Sequence, residues 1–123
     1  MNPNSISIVI PLFNEAGNVA RLVAEVAEAM DDLEFELILV EDGSTDGTRE
    51  RIEEASQADA RVRAVYLAAN FGQSAALVAG FERSTGQVVV TMDGDLQNDP
   101  ADIPRLLQRL DEGYDVVAGW RVD

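Results

Sequence analysis

Two aspartates separated by one glycine are the residues of this chain best suited to chemistry. The segment Asp93-Gly94-Asp95 comes two residues after the run QVVV at residues 87–90, which is typical of a buried strand. A glycine between the two allows a turn in which both carboxylates converge on one point. With the amide oxygen of Gln97, they form a hard-ligand set that suits Mg²⁺ or Mn²⁺ better than zinc. The alternative is an ordinary acidic turn, because glycine and aspartate are common in turns.

Composition excludes several kinds of site. The 123 residues contain no cysteine and no histidine, and all nine basic residues are arginine. A histidine base, a Ser-His-Asp triad and the lysine of a P-loop are therefore absent. The net charge of −14 argues against nucleic-acid binding through a basic face.

Length and hydropathy predict one compact domain over residues 1–123, with no internal boundary. The lack of cysteine agrees with a reducing compartment. No apolar run approaches the roughly 18 residues of a membrane span, and the first four residues do not resemble a signal peptide. We therefore expect a soluble, cytoplasmic chain.

Apolar strands alternate with amphipathic helices along the whole sequence. The predicted strands cover residues 5–11, 35–40, 62–67, 87–92 and 115–119. The predicted helices cover residues 19–30, a segment ending near 58, residues 73–84 and about 102–112. Because three of the strands are continuously apolar, the pattern predicts an α/β fold with a parallel sheet covered on both faces.

Polar loops follow these strands at residues 12–15, 41–44, 70–73 and 93–95. In open α/β sheets, ligands bind at the carboxyl ends of the strands. We expect an acidic group at this edge, comprising Glu15, Asp42, Asp46, Asp93 and Asp95. Like charges without lysine or histidine call for a cation. A divalent ion there could bind a diphosphate and stabilise the charge of a departing nucleoside diphosphate, while Asp42 could accept hydrogen bonds from a base or ribose.

The sequence does not match two other α/β folds, one that binds dinucleotides and one that accepts a phosphoryl group. A dinucleotide-binding Rossmann domain needs G-x-G-x-x-G after its first strand, where this chain has PLFNEAG. A phosphoacceptor receiver domain uses a lysine near its aspartates, and this chain has none.

Five motifs carry a more specific resemblance. They are VIPLFNE (residues 9–15), VEDGSTDGT (40–48), NFGQ (70–73), MDGDLQ (92–97) and GYDVV followed by GWR (113–121). In this order they resemble inverting glycosyltransferases of family 2 with the GT-A fold, in the branch of the dolichyl- and undecaprenyl-phosphate sugar transferases. The resemblance covers nearly the whole chain and implies a doubly wound, mainly parallel five-stranded sheet of order 3-2-1-4-5.

The resemblance also implies roles for individual residues. The implied nucleotide-binding residues are Pro11, Leu12, Phe13, Asn14, Glu15, Asp42, Asn70, Gln73 and Asp93. Among these, Asp42 would read the base. Asp93, Asp95 and Gln97 would hold Mg²⁺ or Mn²⁺, and Asp95 and Arg121 would be catalytic, with Arg121 approaching phosphate.

Some of these residues have simpler explanations. Phe13 could belong to the core, Asn70 could only form a turn, and Arg121 could be a solvated terminal residue. Glu41 departs from the aspartate that is usual in the family, which matters little because Asp42 is retained.

The implied reaction is transfer of a sugar from a UDP- or GDP-sugar to a polyprenyl phosphate, with inversion at the anomeric carbon. The chain ends at Asp123, just after the fifth predicted strand, so we expect the nucleotide-binding half of a longer enzyme acting at the cytoplasmic face of a membrane. A homodimer could cover the exposed sheet edge. The alternatives are a binding-only or inactive module without the acceptor half, and an acidic scaffold that binds no ligand.

Overall fold

The computed structural model describes residues 5–31, 33–94 and 99–111, in which strands and helices alternate. The elements are β1 (Ile6–Leu12), α1 (Val19–Ala29), β2 (Phe35–Glu41), α2 (Thr48–Ala58), β3 (Val62–Tyr66), α3 (Gln73–Arg83), β4 (Val88–Thr91) and α4 (Ile103–Asp111). Short 3-10 turns, Ala16–Asn18 and Pro100–Asp102, precede α1 and α4. None of the helices in these ranges combines the length and apolar character needed to cross a bilayer.

The four strands form one parallel sheet in the order β3-β2-β1-β4. In the register, Ile6 of β1 lies beside Phe35 of β2 on one side and Val88 of β4 on the other. The α/β class, the parallel sheet and this strand order are as predicted from the sequence. The predicted fifth strand, at residues 115–119, lies outside the described residues.

Apolar side chains on both faces of the sheet explain the uninterrupted hydrophobic runs of β1 and β2. On one face, Ile8 packs in the larger core cluster with Leu22 and Val26 of α1. On the other face, its neighbour Val9 packs with Ala76 of α3 in a smaller cluster. Successive residues of a strand point to opposite faces, so a strand buried on both faces must be apolar at every position.

The amino-terminal edge of the sheet is held by the half-buried carboxylate of Glu36. It accepts hydrogen bonds from the Ser7 hydroxyl, from the Arg63 guanidinium at 2.7 Å, and from the Thr85 backbone N–H at 2.7 Å. The Ser7 oxygen in turn accepts from the Gly86 N–H at 2.8 Å. One side chain of β2 therefore ties β1, β3 and the turn before β4 together, opposite the edge where ligands are expected.

Candidate functional site

The loops after β1 and β2 are joined by side-chain hydrogen bonds. Asn14 has a left-handed backbone, with φ of 54°, a conformation that asparagine tolerates better than most residues. Its side-chain oxygen accepts from the Thr45 N–H at 2.8 Å, and its own N–H donates to the Ser44 hydroxyl oxygen at 2.9 Å. The Glu15 N–H donates to the Thr48 hydroxyl oxygen at 2.9 Å. These bonds fix the loop after β1 against the start of α2.

Asp46 belongs to this loop junction. Its carboxylate accepts hydrogen bonds from both the hydroxyl and the N–H of Thr48, at the start of α2, and from the Ala16 N–H at 3.2 Å. The Thr48 hydroxyl, followed by the backbone donors, lowers the pKa of Asp46 despite the opposing effect of partial desolvation. Asp46 was expected with the acidic side chains of the ligand site, but its carboxylate is used to hold the two loops together.

A cleft of about 310 Å³ opens at the carboxyl edge of the sheet, and we call it the edge cleft. Its lining residues are Pro11, Leu12, Phe13, Glu15, Asp42, Asn70, Gly72, Gln73, Asp93 and Gly94. Eight of the nine residues expected to bind nucleotide therefore lie around one opening. The ninth, Asn14, is engaged in the loop junction.

Phe13 lines the edge cleft with 46% of its surface exposed. The alternative that it belongs to the core is therefore wrong. A partly exposed phenylalanine ring at a cleft offers a flat apolar surface on which a planar ligand can stack.

Asp42 is almost completely buried at the end of β2, with 3% of its surface exposed. Its Oδ1 accepts from the Phe71 N–H at 2.8 Å, and its Oδ2 accepts from the Gly72 N–H and the Asn70 side-chain amide, each at 3.1 Å. The neighbouring Glu41, also buried, accepts from the backbone N–H groups of the turn that follows it. Glu41, the last residue of β2, and Asp42, the residue after it, thus both accept hydrogen bonds from loop amides.

Asp93 follows β4 and lines the edge cleft. Its Oδ1 accepts a hydrogen bond from the side-chain amide of Gln73 at 3.1 Å, which links the loop after β4 to the start of α3. Among the residues that the structure describes, no three acidic side chains are grouped so that they could hold a metal ion by themselves. Asp95, Gln97 and Arg121 lie outside the described residues.

Two glycines lining the edge cleft were not among the expected site residues. Gly72 has a φ of 97° and donates its N–H to Asp42. Gly94 lies in a turn, and its φ is not positive. At Gly94, an added Cβ would lie 2.1 Å from Leu12 Cδ2 and 3.2 Å from the Pro11 carbonyl oxygen. Gly94 therefore approaches β1 closely, which cannot be read from the sequence of the motif.

Solved structures that hold UDP or GDP-Man share this fold. Glucosyl-3-phosphoglycerate synthase from Mycobacterium tuberculosis, in complex with Mn²⁺, UDP and glucosyl-3-phosphoglycerate, is 27% identical with a TM-score of 0.71, and the match covers 87% of this chain and 39% of that one. The mannosyltransferase PcManGT from Pyrobaculum calidifontis, in complex with GDP-Man and Mn²⁺, is 24% identical with a TM-score of 0.69, covering 79% and 29%. TarS 1-349 from S. aureus, in complex with UDP, is 22% identical with a TM-score of 0.74, covering 97% and 38%.

At identities below 25%, the last two structures establish the fold alone. The chain spans less than two fifths of the length of each of the three structures. The family is established independently, because residues 7–123 match the profile described as Glycosyl transferase family 2. The chain belongs to glycosyl transferase family 2.

Proposed function

We propose that the edge cleft binds a nucleoside diphosphate sugar together with a divalent cation, and that the protein transfers the sugar to an acceptor. The observation that carries this proposal is the convergence of an exposed aromatic ring, side-chain amides and carboxylates in one cleft at the carboxyl edge of the sheet. It is supported by the family and by the synthase in complex with UDP and Mn²⁺.

Different residues of the edge cleft contact different parts of the nucleotide-sugar donor. The ring of Phe13 stacks on the base, as exposed aromatic side chains do with nucleobases. Glu15, whose carboxylate already accepts a bond from the Asn18 side chain at 2.8 Å, is held in place to accept from ribose hydroxyls. Asn70 and Gln73 present amide groups to the ribose and the diphosphate. Uridine and guanosine donors both fit this scheme.

The described residues of the edge cleft can bind a divalent ion if the nucleotide supplies some of the metal ligands. Asp93 supplies a carboxylate at the cleft, and Mg²⁺ is commonly held by one or two protein carboxylates plus substrate phosphates. A cage of three acidic residues is therefore not required. Asp95 and Gln97, four residues or fewer along the chain, are proposed as the further ligands, and Mg²⁺ and Mn²⁺ are equally acceptable. When bound, the ion would neutralise the diphosphate and stabilise the charge that develops on it as it leaves.

The acceptor half of the proposal rests on the sequence motifs. We propose a polyprenyl phosphate acceptor, an inverting transfer and a phosphate-directed role for Arg121. A phosphate oxygen is already anionic near neutral pH, so attack on the anomeric carbon needs no histidine base. A homodimer through an outer edge of the sheet is a further proposal, which sedimentation analysis would test.

Calorimetric titration of the wild-type chain with UDP and with GDP, each with and without Mn²⁺, tests donor binding. We expect Mn²⁺-dependent binding of at least one of the two nucleotides. In Asp93→Asn, loss of the metal ligand should weaken that binding by about tenfold or more, in the range seen for lost charge-assisted contacts.

The matched control is Asp31→Asn, which removes the same charge from an exposed aspartate after α1, where the chain has reached the opposite edge of the sheet. This control should bind nucleotide like the wild type. Equal weakening in both variants would mean that overall charge, not a site at Asp93, governs binding. No binding of either nucleotide to the wild type would refute the proposal.

Binding and turnover are separate claims, because the chain spans less than two fifths of the compared structures. A binding-only module would bind nucleotide with Mn²⁺ but would neither hydrolyse a UDP- or GDP-sugar nor transfer its sugar to a polyprenyl phosphate. Measuring release of nucleoside diphosphate, with and without the lipid phosphate, distinguishes the two functions.

A further inference from the structure

Three consecutive N–H groups after β1 bind side-chain oxygens of the loop after β2. The donors are residues 14–16, and their acceptors are, in order, Ser44 Oγ at 2.9 Å, Thr48 Oγ1 at 2.9 Å and Asp46 Oδ2 at 3.2 Å. Successive N–H groups in a turn form a concavity that favours electronegative oxygen atoms. Here the chain fills that concavity with three of its own side chains, so the backbone after β1 is held at three successive residues.

Thr48 occupies the centre of this contact. Its hydroxyl oxygen accepts from the Glu15 N–H, and the hydroxyl itself donates to Asp46 Oδ1. Asp46 also accepts from the Thr48 N–H at 3.0 Å, so the carboxylate fixes both the backbone and the hydroxyl of Thr48. Because Thr48 is fully buried and its one hydroxyl proton is committed to the carboxylate, the hydroxyl oxygen is kept as an acceptor for Glu15.

The loop that Thr48 holds carries two side chains of the edge cleft. Among the described residues, the lining of the edge cleft includes Phe13 and Glu15 but neither Thr48 nor Asp46. The Glu15 carboxylate is fixed separately, by the Asn18 side-chain amide at 2.8 Å. Any effect of Thr48 on a ligand in the edge cleft is therefore transmitted by the loop after β1.

We infer that Thr48 is a positioning residue, which holds Phe13 and Glu15 in the conformation that receives the donor. Asp46 orients the Thr48 hydroxyl for this role. The inference rests on the proposed function of the edge cleft and extends it to a residue outside the cleft. A loop that is free to leave this conformation binds its ligand more weakly, because the apparent dissociation constant rises as the competent fraction falls. The hydroxyl of Thr48, rather than its bulk, sets this fraction.

Thr48→Val tests the inference, because valine has nearly the same shape as threonine but no hydroxyl. In the nucleotide-free protein, the Glu15 amide should exchange its hydrogen about fivefold faster or more, since it has lost its acceptor. In calorimetric titration with Mn²⁺, the dissociation constant of UDP or GDP, whichever the wild type binds, should rise about fivefold or more. Thr48→Ser keeps the hydroxyl and should restore both values to near the wild type, although it loses a buried methyl group.

Ser7→Ala is the matched control, which removes another fully buried hydroxyl at the opposite edge of the sheet. The Ser7 hydroxyl donates to Glu36 and accepts from the Gly86 N–H, so its loss should lower the stability of the protein. The control should nevertheless leave nucleotide affinity and the exchange of the Glu15 amide at their wild-type values.

If Thr48→Val does not fold, Asp46→Ala replaces it as the test. Asp46 is exposed, and its removal frees the Ala16 N–H and leaves the Thr48 hydroxyl without the acceptor that orients it. The Ala16 amide should then exchange faster than in the wild type, and the nucleotide should bind more weakly.

Three results would overturn the inference while leaving the proposed function intact: unchanged nucleotide affinity in Thr48→Val, unchanged exchange of the Glu15 amide in that variant, or the same loss of affinity in Thr48→Ser or Ser7→Ala. The last would mean that lost packing or stability, and not the hydroxyl, weakens binding. If the wild type binds neither nucleotide, the proposed function fails, and the exchange rates alone then decide whether the Thr48 hydroxyl fixes the loop after β1.

Discussion

Some carboxylates of this chain hold loops together, and others are proposed to bind the ligand. Residue type alone does not separate these two roles. Asp42 and Asp46 both follow β2 and both looked like parts of one acidic group in the sequence. In the structure, each accepts hydrogen bonds from backbone N–H groups of another loop, from residues 71–72 and residue 16 respectively. Their partners lie about thirty positions away in the sequence. Short-range pattern analysis therefore finds the carboxylates but cannot assign their partners.

Glu36 is the clearest case of a carboxylate with a structural role. Burial by itself would raise the pKa of Glu36, but hydrogen bonds from Ser7, Arg63 and Thr85 outweigh it and lower the pKa from 4.5 to about 2. The folded-state pKa is thus below the unfolded one. The stabilisation is fully present above the unfolded pKa of 4.5 and is lost as the pH falls towards 2.

We predict that Glu36→Gln lowers the free energy of unfolding at pH 7 by about 2 kcal/mol, a value reduced from the full pKa difference because the site is partly solvated. Glutamine has one acceptor oxygen where the carboxylate has two, so either the bonds from Ser7 and Thr85 or the bond from Arg63 are lost. Urea unfolding at pH 7 and again near pH 2 measures the difference. The difference should shrink at the lower pH, which is close to the folded-state pKa, because the wild-type carboxyl is then about half protonated.

Glu28→Gln, which removes an exposed charge on α1, is the control and should change stability little at either pH. A loss of stability at Glu36 that is equal at both pH values would indicate a packing defect and would contradict the electrostatic explanation.

At the scale of elements, the sequence was informative because burial dictates periodicity. Each described strand and helix lies within two residues of its predicted bounds, and the order of the four strands is as expected. The loop conformations could not be predicted as well, because they depend on contacts between segments that are distant in the sequence. Gly94, which packs against Leu12, and Asn14, which joins Ser44 and Thr45, could be assigned only once β1 and its neighbours were adjacent.

Helix α3 provides a test of this packing. An added Cβ at Gly80 would lie 2.3 Å from Val9 Cγ1 and 3.2 Å from Val40 Cγ2, so α3 sits on β1 and β2 through a glycine. Overpacking a core costs about 1–3 kcal/mol, whereas replacing glycine in a helix by alanine gains at most about 1 kcal/mol. We therefore predict that Gly80→Ala is destabilising by about 1 kcal/mol in urea unfolding.

The matched control is Gly17→Ala, because no heavy atom lies within 4 Å of a Cβ added there. It should leave stability nearly unchanged or raise it slightly. If Gly80→Ala also raised stability, the close seating of α3 on Val9 would be wrong.

For the whole molecule, the dominant electrostatic feature is the net charge of −14. Three ion pairs of the described residues are local and at least partly exposed: Arg21–Glu25, Arg51–Glu54 and Arg61–Asp59. Such exposed pairs contribute little. The Arg63–Glu36 pair instead joins β3 to β2. Repulsion among the remaining acidic groups opposes the compact state, and any salt that screens it will raise the melting temperature.

Screening by salt and binding at the edge cleft therefore both stabilise the protein, and they must be separated. We predict that Mn²⁺ with UDP or GDP raises the melting temperature more than NaCl at the same ionic strength, because ligand that binds only the folded state adds RT ln(1 + [L]/Kd), about 2.7 kcal/mol at a hundredfold excess over Kd. NaCl should stabilise the wild type and Asp93→Asn alike, since their net charges differ by one in fourteen. Only the wild type should gain the additional increment from Mn²⁺ and nucleotide. Equal melting curves for the two proteins in both media would mean that the acidic surface responds to ions in general and that Asp93 holds none in particular.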